Sequence, residues 1–148
     1  MLAWILGVTI ALATPSPQHL ATVAVHAPKA ELTLQVATTE AQRELGLMSV
    51  TKLQPRTGMV FVFPSDDPVV FWMKDTFVPL DMVFVAKDGT VRYVAANVPA
   101  TKADTPDEQI PRRSARASYV IELAAGEAAK DGITVGSHLD GLANLHGS

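Results

Sequence analysis

Three charged residues, Lys74, Asp75 and Asp81, fall within one of the most apolar stretches of the chain, "FWMKDTFVPLD" at 71–81. If residues 75–80 form a hairpin loop, Lys74 stands directly across from Asp81, and opposed residues in a sheet have Cβ atoms roughly 4.5–5.5 Å apart. Trp72 would lie beside the pair, and Gly58, across from Lys74 on the other side, would leave open space. Trp72, Lys74, Asp75 and Asp81 therefore define an expected rim site for a polar or anionic ligand. A lysine desolvated against an indole also has its pKa lowered, as a base or amine nucleophile requires. The plainer reading is an ion pair near a sheet edge, stabilising by about 0–1 kcal/mol if exposed.

Glu122, in "YVIEL", is a second charge inside an apolar run. A carboxylate placed there needs a partner, which Lys74 or Arg43 can supply. Convergence of Asp81 with Glu122 would create a two-carboxylate site of the kind that hydrolyses by acid and base, although their spacing alone does not bring them together. Arg43 either pairs with Glu40 on a helix surface or reaches over the end of the sheet toward Asp81 or Glu122. Met59, Met73 and Met82 fall in one row; thioethers suit Cu(I), while filling gaps in a core is methionine's ordinary role. The four histidines lack ligand spacing and the chain has no cysteine. Neither a zinc site nor a Ser/His/Asp triad is indicated, and no cofactor is expected.

The elements that must carry these residues are mostly strands. "ELTLQVA" (31–37) alternates apolar with polar residues, as a half-buried strand does. "TTEAQRELGLM" reads as a short helix, with Thr39 and Gln42 spaced as a capping box and Gly46 as its C-terminal glycine. Four strand-like runs follow: "GMVFVF" (58–63), "VVFWMK" (69–74), "DMVFVA" (81–86) and "TVRYVAA" (90–96). Asp88-Gly89 is a strong hairpin turn, and "PSDDP" reads as a longer turn between prolines.

In this register Met73 pairs with Met82, Phe84 with Tyr93 and Val83 with Val94. One face then collects Met59, Phe61, Phe63, Val69, Phe71, Met73, Met82, Phe84 and Tyr93, the expected core, and the other is charged only at its rims. Residues 97–117 read as a long irregular loop that closes over the rim. "SYVIEL" is a further strand, followed by one or two helical turns and a last short strand. The sum is an α+β domain, mainly β, built as a curled antiparallel sheet or small barrel with one or two short helices.

At 148 residues, with 48% hydrophobic and 18% charged residues, the chain is long enough for one domain. A formal charge of −3 without a basic cluster argues against nucleic acid as a partner. Residues 1–28 carry no Asp, Glu, Lys or Arg. The apolar run from Leu2 to Ala13 is shorter than the roughly 20 residues that span a bilayer; it has the length of a signal peptide and ends in small residues, though without a basic n-region. The expected layout is a signal peptide over 1–13, a linker over 14–30, one β-rich domain over 31–140 and a tail over 141–148. Export to the periplasm or beyond follows, with no membrane span once the signal is removed.

The blocks "RELGLM" (43–48), "GMVFVF" (58–63), "FWMKDTFVPLDMVFV" (71–85), "DGTV" (88–91) and "YVIELAAG" (119–126) together resemble, in order, the signature blocks of the domain of unknown function 192 family. The family's usual W-M-K-N-T has Asp75 here in place of asparagine. The resemblance implies a small β-rich protein, often exported; it implies no reaction. The expected function is an exported binding or accessory domain, with Trp72, Lys74, Asp75, Asp81, Arg43 and Glu122 at its site. Its partner would be a small polar ligand or a component of the cell envelope. The alternatives are a hydrolase using Lys74 with a carboxylate, and a methionine-based Cu(I) protein.

Overall fold

The run 117–123, "ASYVIEL", is buried without a break. A strand apolar on both faces belongs at the centre of a sheet, where neighbours cover its edges and packed layers cover its faces. The computed structural model, which describes residues 17–148, places it there. Strands β1 (Thr22–Ala27), β2 (Ala30–Ala37), β3 (Thr57–Trp72), β4 (Leu80–Val85), β5 (Val91–Val98) and β6 (Arg112–Ala124) form one sheet in the order β1-β2-β3-β6-β4-β5. All neighbours are antiparallel except β2 and β3. The fold is α+β and mainly β, and the sheet is mixed and open rather than a closed barrel. It is nonetheless curled. The segment 136–140 hydrogen-bonds at one end to β1, through His26 and Asp140, and at the other to Val91 at the start of β5.

Helix α1 (Glu40–Leu45) has the expected capping box: the Thr39 hydroxyl accepts from the Gln42 amide, and the Gln42 side chain accepts from the Thr39 amide. Gly46 ends it at φ 46°, a conformation that favours glycine. Helix α2 is a single turn, Glu127–Lys130.

The expected pairing of Lys74 with Asp81 does not occur. β6 lies between β3 and β4, so residues 73–79 cross over β6 instead of turning a hairpin. Met59 and Met82 both face Glu122 of β6 rather than Met73. "PSDDP" is not a turn either. β3 runs through it, with a bulge between Val62, opposite Tyr119, and Asp67, opposite Ala117. The bulge is clamped by Arg92, which donates to both carboxylate oxygens of Asp66 at 2.6 and 2.9 Å.

The β4–β5 hairpin pairs Val83 with Val94 and Phe84 with Tyr93, as its turn predicts. β1 occupies part of the segment expected as a linker, because "TVAVHA" alternates and pairs with β2. The last part of the expected 97–117 loop is strand, since β6 begins at Arg112. The tail is docked, with Leu142 buried and the Ser148 amide donating to the Thr38 carbonyl. The expected signal peptide lies outside the described residues.

Two cores result, one on each face. Val60, Val62, Val83, Val85, Ile121 and Leu123 pack beneath α2 and the segment after it, through Ala128, Ile133, Leu139 and Leu142. Met59, Phe61, Met73, Met82, Phe84 and Val120 pack on the other side. The three methionines are fully buried there.

Gly58 is not the open space expected of it. A Cβ at Gly58 would sit 2.0 Å from the Glu122 carbonyl oxygen, so glycine is what lets β3 close on β6. Gly58→Ala is expected to destabilise the protein by about 2–3 kcal/mol, read as a lower urea midpoint; a midpoint equal to wild type would contradict this packing.

Candidate functional site

On the Met59 face, β3 outruns β2, whose pairing with it ends at Phe61. The edge beyond faces α1 and the turn after it, and a cleft of about 490 Å³ lies between them. Such a volume is typical of small-molecule sites. Phe61, Phe63 and Phe71 form its apolar wall, with Phe71 edge-on to Phe61 at 4.8 Å and to Phe63 at 6.1 Å. Leu47 and Met48, just past the end of α1, face them.

Glu122 contributes a buried carboxyl to the lining of this cleft. β6 carries it between Met59 and Met82, leaving the residue only 4% exposed. No hydrogen bond to its carboxyl and no ion pair is found among the described residues. Burial pushes its pKa from the ordinary carboxylate value up to about 8. At neutral pH it is a carboxylic acid, able to donate a hydrogen bond into the cleft.

Four of the expected site residues, Arg43, Trp72, Lys74 and Glu122, line this cleft. Two do not, and the cations have partners other than those expected. Lys74 Nζ lies 3.1 Å from the Asp107 carboxylate and 4.9 Å from the centre of the Trp72 ring. Asp107 belongs to the segment after β5, which also packs on the 73–76 turn through Thr101. Arg43 reaches neither Asp81 nor Glu122. Its Nη1 donates to the carbonyls of Thr38 and Val62 at 2.5 and 2.9 Å, and its Nη2 to that of Ser148 at 2.8 Å. It thus ties α1, β3 and the C-terminus together, stacked 5.2 Å from the Phe63 ring centre.

Asp81 is almost fully buried and accepts from the backbone amides of Asn97, Gly126 and Ala128 at 2.9–3.0 Å. Its work is structural, holding the end of β5 and the start of α2. Asp75 occupies a left-handed turn at φ 49°, a conformation that Asp and Asn tolerate better than most residues. Its carbonyl accepts from Ser49, and its side chain does not line the cleft. The aromatic wall was not among the expected site residues. Its signal was the odd-numbered Phe61, Phe63 and Phe71, which the alternation assigned wholly to the core.

The family model DUF192, described as "Uncharacterized ACR", matches residues 21–141. The chain belongs to this family. Among curated proteins none matches it. Two solved structures are similar to this member of the domain of unknown function 192 family. One, from Sinorhizobium meliloti 1021 and described as a candidate transcription regulator, is 34% identical with a TM-score of 0.73, covering 86% of this chain and 99% of that one. The other, a protein of unknown function from Novosphingobium aromaticivorans DSM 12444, is 29% identical with a TM-score of 0.68, covering 87% and 94%.

The state of Glu122 has a measurable consequence. Its folded pKa lies above the unfolded value, so the native state holds the extra proton between the two. Stability is therefore greatest below about pH 4.5 as far as this group is concerned, and falls as pH rises toward about 8. The slope approaches 1.4 kcal/mol per pH unit within that window. Glu122→Gln is expected to remove this slope and to gain on wild type steadily from pH 5 to pH 8, read by urea unfolding at several pH values. Parallel profiles for the two proteins would contradict the assignment.

Proposed function

We propose that this chain is a binding domain that takes one partly apolar small molecule into the cleft beside α1, with Glu122 as the polar anchor. The observation that carries the reading is a nearly buried carboxyl, without a protein partner among the described residues, at an aromatic-walled cleft of about 490 Å³. A carboxyl so nearly buried is poorly hydrated, and a ligand that hydrogen-bonds it in the cleft offsets that cost. Catalysis by Lys74 with a carboxylate has less support, because Lys74 is engaged by Asp107 at the rim and Asp81 by three amides. The copper reading needs accessible sulfurs, and Met59, Met73 and Met82 are buried. An exported protein also fits the charge-free leader, and no helix among the described residues is long and apolar enough to cross a membrane. Export predicts that protein recovered from outside the cytoplasm begins just after Ala13; recovery with Met1 intact would oppose it.

The cleft itself is tested with N-phenyl-1-naphthylamine, a neutral dye that fluoresces in apolar sites. Wild type is expected to bind about one equivalent, and Val69→Trp, which fills the cleft, to bind at least about tenfold more weakly. Circular dichroism checks that the variant is folded. Equal binding by the two folded proteins, or none by wild type, would refute the cleft as a ligand site.

A further inference from the structure

Resting on that reading, we infer that the ligand is an organic cation, an ammonium group on an apolar or aromatic body, whose charge is met by Glu122. The charges around the cleft favour this sign. Besides Glu122 it is lined by Glu40 and Glu44 of α1, which make no ion pair among the described residues, and by Asp67 of β3, which accepts from Ser65 and lies 4.0 Å from Arg116, against two cations, Arg43 and Lys74. Both cations are engaged. Arg43 spends its terminal nitrogens on three carbonyls, and Lys74 lies against Asp107. An anionic ligand would therefore meet Glu40 and Glu44, while Lys74 stays with Asp107 and the Arg43 donors stay on neutral carbonyls. An ammonium would meet the Glu122 carboxyl, while its aromatic or apolar body packs on the wall of Phe61, Phe63 and Phe71.

The neighbours of Glu122 across β3 and β4 are Met59 and Met82, which contribute no charge. The charged groups facing the same cleft are Glu40, Arg43, Glu44, Asp67 and Lys74. Nothing among them replaces a cation beside Glu122. Binding of an ammonium turns the neutral acid into a carboxylate, and its proton goes to the buffer. The ligand's own nitrogen keeps its proton throughout, so the exchange balances: one proton leaves the protein and one positive charge arrives.

The test is calorimetric titration of the full chain with 1-naphthylmethylamine, 1-naphthalenemethanol and 1-naphthoate, which share a ring system and differ in charge. At pH 6.5 the amine is expected to bind at least about tenfold tighter than the alcohol. Repeating the titration in phosphate and in imidazole, which both buffer at this pH and differ in ionisation enthalpy, should show about one proton released per amine bound. Glu122→Gln should lose the preference for the amine and the proton release while still binding the alcohol. Equal binding of amine and alcohol, tighter binding of naphthoate, or an unchanged amine preference in Glu122→Gln would overturn the cation and leave the cleft standing. Failure of all three compounds and of N-phenyl-1-naphthylamine would overturn the cleft reading and the cation with it.

Discussion

β6 hydrogen-bonds to β3 along one edge and to β4 along the other, and most of the molecule follows from that central position. Its apolar residues supply both cores at once: Tyr119, Ile121 and Leu123 on one face, Val120 on the other. Because β6 separates β3 from β4, the chain must cross the end of the sheet between residues 73 and 79, and Lys74 is carried away from Asp81. The same strand carries Glu122 to the side where β3 outruns β2 and a cleft remains. Gly58 is part of this arrangement, since any side chain there would strike the Glu122 carbonyl.

The buried carboxylates show three different solutions to one cost. Asp81 is satisfied by backbone amides, so its burial ties α2 to β5. Asp131 is nearly buried beside Glu127 in the α2 turn; burial first, and the Glu127 charge second, raise its pKa. Glu127 in turn accepts from the Arg56 amide at 2.9 Å. Glu122 has neither amides nor a neighbouring cation, and burial alone raises its pKa. Asp131 Oδ2 is likewise buried without a partner, so what sets Glu122 apart is its place in the lining of the cleft.

What could be read from the sequence divides along the same line. Alternation within a strand is local, so the faces of Met59, Phe61, Met73, Met82 and Phe84 were legible, as were the Thr39 capping box and the Asp88-Gly89 hairpin. Which strands lie side by side is not local. "FWMKDTFVPLD" has the look of a hairpin, and only the competing claim of "ASYVIEL" to the centre of the sheet displaces it. That claim was visible as a largely apolar run, but a run of this kind does not name its neighbours. The Lys74 and Asp81 partners were lost for that reason. Glu122 and Arg43 reached the cleft despite the wrong pairing, because a charge inside an apolar strand and a cation on an adjacent helix mark a site without reference to register.

The position of β6 is accessible directly by nuclear Overhauser contacts in uniformly labelled protein. The account predicts cross-strand contacts from the Glu122 backbone to both Met59 and Met82. Contacts from Met73 to Met82 across a hairpin, with none between Glu122 and Met82, would contradict it and remove the structural basis for the cleft.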